Sequence, residues 1–155
     1  MHTRVDEGAA PLVGACMPLA PGHTFRMNTP VLPSTIAPPA ANYAHAVLSA
    51  GHGRILHTSG VVPVAPDGSV PEAIEDQAAV VWANLGAILA AADMPVRSVV
   101  SITTYVVIDH LPSLGAVMAA RDVALGGHRA ASTLVTVPAL ARPEWKLEIA
   151  LVAVA

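Results

Sequence analysis

The sequence has few aromatic side chains and few positive charges. Phe, Trp and Tyr make up 3% of its 155 residues, too few for the aromatic platform on which single-stranded nucleic acids stack. Lys and Arg number 8 against 11 Asp and Glu, so the net charge is −3 and there is no basic stripe for binding phosphates. This composition argues against nucleic acid as a partner.

Cysteine and long apolar runs are also scarce. Cys16 is the single cysteine, which excludes an intramolecular disulfide framework. Residues 12–16 weakly resemble a lipoprotein cleavage site, but Asp6 and Glu7 precede them where a signal peptide has basic residues and a longer apolar stretch. The longest weakly polar run, near 78–92, falls short of the ~20 apolar residues that a spanning helix needs. We therefore expect a cytoplasmic protein without a membrane partner.

Apolar residues are abundant instead. They make up 54% of the chain, whereas charged residues make up 12%, about half the share that is usual in soluble domains. We therefore expect another chain to cover part of the surface. Residues 1–35 contain several prolines and show no hydrophobic period, which predicts an irregular N-terminal extension ahead of one domain at residues 36–155.

Hydrophobic periodicity predicts seven elements within that domain. The predicted strands are residues 43–51, 54–64, 96–108, 131–137 and 145–154; the predicted helices have apolar stripes within 74–92 and 111–127. Glycines at positions 51 and 53 predict a hairpin between the first two strands. Ser69 and Glu72 have the spacing of a capping box for the first helix.

The order β-β-α-β-α-β-β predicts an α+β sandwich with two helices on one face of the sheet. Beyond Glu148 the last predicted strand is mostly apolar on both faces, which suggests helices on one face and another subunit on the other. A buried, unpaired carboxylate is costly, so Glu148 is expected to be paired, directed at solvent or kept for chemistry. The scattered histidines and glycines form neither a metal-binding nor a phosphate-binding motif, so we expect no metal and no cofactor.

Five stretches, in this order and spacing, resemble the Rid family of reactive intermediate deaminases, also called YjgF-like proteins. They are residues 37–47, 55–70, 74–94, 96–109 and 129–155. The resemblance implies a chorismate-mutase-like fold with a mixed sheet, assembled as a homotrimer with clefts between subunits. It also implies hydrolysis of enamines and imines, such as 2-aminoacrylate, to keto acids and ammonia without a metal or cofactor.

The resemblance assigns roles to individual residues. Glu148 matches the last-strand glutamate that positions a water molecule, while Ala150 stands where the family often has a second glutamate. Tyr43 matches the tyrosine that packs against the substrate. A structural ion pair for Glu148 and an ordinary interface role for Tyr43 are the alternatives.

Ser132 stands where the family has the arginine that binds the substrate carboxylate. A serine hydroxyl cannot supply the charged, bidentate clamp of a guanidinium group. Arg129 and Arg121 are candidate replacements, unless both are surface residues. Ser132, Thr133 and the backbone of Leu134 can hydrogen-bond a ligand that lacks a carboxylate.

These features predict a cofactor-free enamine or imine deaminase whose substrate is a small molecule other than simple 2-aminoacrylate. One alternative is a non-catalytic trimer that binds a small molecule as a sensor or chaperone-like protein. Another, also implied by the resemblance, is an endoribonuclease that inhibits translation, against which the acidic balance and the scarcity of aromatic residues argue.

Overall fold

The structure, a computed structural model, describes residues 28–31, 42, 46–49 and 53–155. Its strands are β1 (Asn28–Val31), β2 (Ala46–Ser49), β3 (Ile55–His57), β4 (Val99–Val107), β5 (Ala131–Val137) and β6 (Leu147–Val154). Its α-helices are α1 (Ile74–Ala91) and α2 (Leu114–Leu125), and short 3-10 segments at Val96–Ser98 and Ile108–Ser113 precede β4 and α2. Within the described ranges, neither α-helix is long and apolar enough to cross a lipid bilayer.

A four-stranded mixed sheet with the order β3-β6-β4-β5 forms the centre of the fold. The pair β4 and β5 is parallel, because α2 crosses over between them, whereas β6 is antiparallel to both β3 and β4. The predicted α+β architecture, with a mixed sheet and two helices, is confirmed.

The pairing of the N-terminal strands differs from the prediction. β2 pairs with β1, Asn28 opposite Ser49, and β3 pairs with β6 at the other end of the chain. The predicted hairpin between residues 43–51 and 54–64 is therefore wrong, and β1 lies inside the segment that was expected to be irregular. An extended pattern indicates a strand but carries no information about its partner. The rest of residues 1–35 lies outside the described part, and the domain boundary at residue 36 stays a prediction.

Strand alternation divides the sheet into a helix-covered face and an uncovered face. On β6 the side chains of Leu147, Ile149 and Leu151 are buried beneath the helices, together with those of Ile102 and Val106 on β4. The residues between them, which include Glu148, project from the opposite, uncovered face and are half-buried.

The helix ends differ from the prediction in one respect. Ser69 does not cap α1: its hydroxyl donates to Asp67 Oδ1 at 2.7 Å, and Ala73 occupies the N-cap position without a side-chain bond. The helix starts later than the capping-box spacing suggests because Asp67 and Ser69 close a tight turn of their own. α2 ends as expected, at Gly126, whose φ of 56° is left-handed.

Candidate active site

Glu148 lies in the most buried strand of the sheet, yet its side chain is on the uncovered face. Its neighbours Leu147 and Ile149 are almost fully buried, and Glu148 is half-buried. Tyr105 on β4 lies directly opposite in the antiparallel register, so both side chains project from the same face. The apolar strand thus presents one carboxylate on its open side.

The chain bulges opposite Ala150, beside Glu148. Thr58 and Val61 both hydrogen-bond to β6, so that residues 58–61 lie opposite only residues 149–151. One extra residue on one side of a ladder is a β-bulge, which bends the chain and redirects side chains. The bulge places Gly60 against the Glu148 side chain: a Cβ atom built on Gly60 would lie 1.7 Å from Glu148 Oε1.

Within the ranges that the structure describes, two ion pairs are present, and neither includes Glu148. They join Arg121 to Asp122 at 2.8 Å and Arg142 to Glu144 at 3.8 Å. The same part of the chain contains no group of three His, Cys, Asp or Glu side chains that could hold a metal ion. Glu148 therefore has no cationic partner among the described side chains.

A buried amide holds the start of β6 in place. Gln77 on α1 is 0% exposed, and its Nε2 donates to the carbonyl oxygens of Pro71 and Glu144, each at 2.8 Å. Its Oε1 accepts a hydrogen bond from the backbone N–H of Lys146 at 2.9 Å. This clamp ties the loop before β6 to the helix, two residues before Glu148.

Ser132 lies on the other face of the sheet. It pairs with the buried Ile102, and its hydroxyl accepts a 3.4 Å hydrogen bond from Nη1 of Arg121 on α2. Arg121, a candidate from the sequence, is 3% exposed, and its Nε and Nη2 both donate to Asp122 Oδ1, at 2.9 and 2.8 Å. The guanidinium beside Ser132 is thus already neutralised by a carboxylate.

The other predicted site residues are dispersed. Arg129 is exposed, and its Nε donates to Asn42 Oδ1 at 2.9 Å. Thr133 is exposed on the uncovered face, whereas Leu134 faces the helices with Ser132 and packs against the core. Tyr43 lies outside the described residues.

One chain does not bring Ser132 and Glu148 to a common pocket. Ser132 on β5 and Leu151 on β6 are both in register with Ile102 on β4, which lies between the two strands. Ser132 is therefore two strand spacings away from β6, and Glu148 lies three residues along β6 from Leu151. Strand spacing and rise per residue put their Cα atoms about 14 Å apart. The two side chains also project from opposite faces of the sheet.

Comparison with known proteins shows what kind of protein this is. The sequence profile of the family described as Endoribonuclease L-PSP matches residues 34–155. The chain belongs to this family, which includes the Rid and YjgF proteins. No curated protein matches the sequence. Membership supports a role as a small-molecule deaminase or a related protein.

Solved structures of Rid proteins share the fold. The Rid-family protein YyfB from Yersinia pestis is 31% identical, with a TM-score of 0.77 over 83% of this chain and 99% of that one. The YjgF gene product of E. coli is 27% identical, with a TM-score of 0.60 over 81% and 98%. E. coli TdcF, solved with bound serine, is 26% identical, with a TM-score of 0.61 over 80% and 93%.

In this Rid-family chain, the sequence missed two residues that contact or face the Glu148 side chain. Tyr105 lies within the predicted strand at residues 96–108 and Gly60 within that at residues 54–64, and neither was a candidate site residue. A signal for Tyr105 exists, since it alternates with the buried residues of β4. That signal becomes useful only when the register with β6 is known, and nothing local indicates that Gly60 and Glu148 meet.

Proposed function

We propose that this protein hydrolyses a reactive enamine or imine in a cleft between subunits, with Glu148 orienting the attacking water. The observation that supports this most is the position of Glu148. Its carboxylate is half-buried on an otherwise apolar strand and, within the described part of the chain, has no cation beside it. A carboxylate in such surroundings is free to accept a proton.

The proposed reaction needs only water and proton transfers. An enamine first takes up a proton at carbon and becomes the iminium ion. Glu148 accepts a proton from water while the water oxygen bonds to the electrophilic carbon, giving a carbinolamine. The proton then passes from Glu148 to the nitrogen, and the C–N bond breaks with its electron pair leaving on ammonia. Glu148 takes the proton of the remaining hydroxyl as the carbonyl product forms, and this proton balances the one that the enamine took up. No electrons are exchanged with a cofactor.

The residues around Ser132 limit the substrate. Arg121 lies beside Ser132, but its charge is balanced by Asp122 and it is almost fully buried. Among the residues that the structure describes, the Ser132 position therefore offers a hydroxyl and no free cation to an incoming carboxylate. E. coli TdcF was solved with serine, which carries a carboxylate. We propose that the present protein acts on an enamine or imine without a carboxylate at that position, and not on simple 2-aminoacrylate.

The proposed cleft includes residues from two subunits of a homotrimer, the assembly typical of the family. We base this proposal on the separation of Ser132 and Glu148 in one chain. Their Cα atoms are about 14 Å apart, and their side chains project from opposite faces of the sheet. A small imine cannot touch both within one chain. Thr133 is on the same face as Glu148, so it and Ser132 would serve different clefts, and Tyr43 and Arg129 remain candidates to complete them.

A non-catalytic trimer that binds a small molecule is the second candidate. The absence of the family arginine at Ser132 favours it, since a sensor can keep the pocket and lose turnover. The family description also names endoribonucleases, but a net charge of −3 and 3% aromatic residues argue against RNA as a substrate.

An imine-trapping assay separates these functions. Imines are generated in solution by an amino-acid oxidase from several amino acids, with an amine oxidase supplying imines that lack a carboxylate, and the remainder is trapped with semicarbazide. We expect the protein to accelerate imine loss and Glu148→Gln to reduce the rate by ~10²–10⁴-fold. The control is Glu75→Gln, an exposed carboxylate on α1.

Two outcomes count against the enzyme. If no imine disappears faster while the folded protein is stabilised by the same carbonyl or amine compounds, the protein is a binding module. If Glu148→Gln retains the parental rate, a different residue carries the chemistry. Dilution tests the shared cleft, because specific activity should fall as the trimer dissociates.

A further inference from the structure

We infer that Gly60 is a positioning residue for Glu148. The Glu148 carboxylate occupies the space that a side chain at position 60 would fill, and this close contact with Gly60 fixes the direction of the carboxylate. The inference rests on the proposed function, because Gly60 acts only through Glu148. It concerns how the carboxylate is aimed and adds a second residue to the site, on a different segment of the chain.

The contact is close along the whole end of the glutamate. A Cβ atom on Gly60 would lie 1.7 Å from Oε1, 2.4 Å from Cδ and 2.8 Å from Cγ of Glu148. Favourable contacts between carbon atoms begin at about 3.5 Å. No residue other than glycine therefore fits at position 60 while Glu148 keeps this conformation.

The need for glycine at position 60 comes from this contact and not from the backbone. Positive φ angles occur at Gly68, Gly126 and Gly127, whereas Gly60 has none. An L-residue can therefore adopt the backbone conformation at position 60 without strain. Substitution by alanine should leave the chain path unchanged and act on the neighbouring side chain.

The backbone around Gly60 is held on both sides. Val61 and Ile149 exchange two backbone hydrogen bonds, of 2.8 and 3.0 Å. On the other side, the Thr58 hydroxyl accepts a hydrogen bond from the Leu151 N–H at 2.9 Å and donates to the Leu151 carbonyl oxygen at 3.4 Å. Since the bulge is fixed at both ends, a methyl group at Gly60 pushes the flexible Glu148 side chain away rather than moving the bulge.

The consequence for catalysis is a change in kcat. A water-orienting carboxylate acts in the transition state, so displacing it lowers kcat and leaves KM almost unchanged. A shift of about 1 Å in a catalytic group can cost ~10²-fold in rate. We expect Gly60→Ala to lower kcat by ~10–10²-fold while the fold and the assembly are retained.

The experiment compares Gly60→Ala with Gly53→Ala and Gly86→Ala, two glycines at which an added Cβ meets nothing within 4 Å. Imine hydrolysis, thermal unfolding and the ¹³Cδ carboxyl NMR signal of Glu148, assigned by its loss in Glu148→Gln, are measured for each variant. We expect only Gly60→Ala to lower kcat and to move this carboxyl signal. In the Glu148→Gln background, Gly60→Ala should cause no further loss of rate.

Each outcome decides between explanations. An unchanged rate and an unchanged carboxyl signal in Gly60→Ala would overturn the inference. A shifted signal, with no change of rate in either Gly60→Ala or Glu148→Gln, would retain the contact and refute the proposed function. Should Gly60→Ala unfold, the double variant Gly60→Ala/Glu148→Ala tests the cause: recovery of folding supports the clash, and continued unfolding overturns it.

Discussion

The Gln77 clamp allows a quantitative prediction, because all three of its hydrogen bonds are within the described core. Substitution of Gln77 by methionine keeps the volume and removes every bond. The carbonyl oxygens of Pro71 and Glu144 and the N–H of Lys146 then lose their side-chain partner. A buried backbone group without a partner costs about 1–3 kcal/mol.

The lower end of that range applies here, since the three partner residues are half-buried or exposed and water can reach some of the groups. Methionine also gains some hydrophobic stabilisation in the buried position. We therefore expect Gln77→Met to lower the free energy of unfolding by about 2–3 kcal/mol. For a chain of this size, that corresponds to a fall in Tm of roughly 5–10 °C.

Gln77→Glu provides a sharper version of the test. An ionised carboxylate would face two carbonyl oxygens, so the introduced group should have a folded-state pKa above its unfolded value of about 4.3. The stabilisation by its protonated form is complete below the unfolded pKa and is lost as pH rises through the folded pKa. Lowering the pH from 7 should therefore raise the Tm of Gln77→Glu relative to that of Gln77→Met.

Urea and thermal unfolding, followed by circular dichroism at one fixed protein concentration, measure both effects. The fixed concentration matters because association stabilises an oligomer by mass action. Asp76→Asn, at the exposed neighbouring position in the first turn of α1, is the matched control and should change stability by no more than about 1 kcal/mol, the usual contribution of a carboxylate near a helix N-terminus. A Gln77→Met variant as stable as this control would refute the proposed role of the clamp.

Two further predictions concern substrate choice and acid stability. The double variant Ser132→Arg/Arg121→Gln places a guanidinium at position 132 and removes the adjacent one. Because a charge-assisted bond is gained, we expect its preference for carboxylated over neutral imines to rise by about 10-fold. Competition between the two imine types measures this preference, and an unchanged ratio counts against the alignment at Ser132. Hydrogen bonds from the side chain and backbone of Ser69 lower the pKa of Asp67 in the folded state. Ionised Asp67 therefore stabilises the fold at pH values above its unfolded pKa of about 3.9, and this stabilisation is lost as the pH falls through the lower folded pKa. The Tm difference between the parent and Asp67→Ala should narrow as the pH drops below 4, and a difference that is independent of pH contradicts the assignment.

Much of the domain could be predicted from local pattern. β5 spans the predicted residues 131–137, and α2 and β6 lie within two or three residues of their expected ends, whereas the N-cap of α1 is Ala73, four residues after the predicted cap at Ser69. The outward direction of Glu148 also follows from its alternation with the buried Leu147 and Ile149. These features depend on periods of 2 and 3.6 residues, which the sequence displays directly.

The site could be predicted less completely. Family resemblance pointed to Glu148 and Ser132, but it did not indicate that they face opposite sides of the sheet. Arg129 and, as a second possibility, Arg121 were candidates, and of the two Arg121 contacts Ser132. The choice between them depends on how α2 packs against β5, a contact that leaves no local mark in the sequence.

The sequence by itself determined which stretches are helix or strand, which side chains alternate into the core, and that one carboxylate interrupts an apolar strand. Only the tertiary structure decided that β3 pairs with β6, that residues 58–61 bulge, and that Gly60 leaves room for Glu148. The physical reason is the sequence separation of the interacting residues, because hydrophobic periodicity reports only on residues a few positions apart. Glycine and glutamate meet here across 88 positions of the chain, through a pairing whose register is set by the whole core.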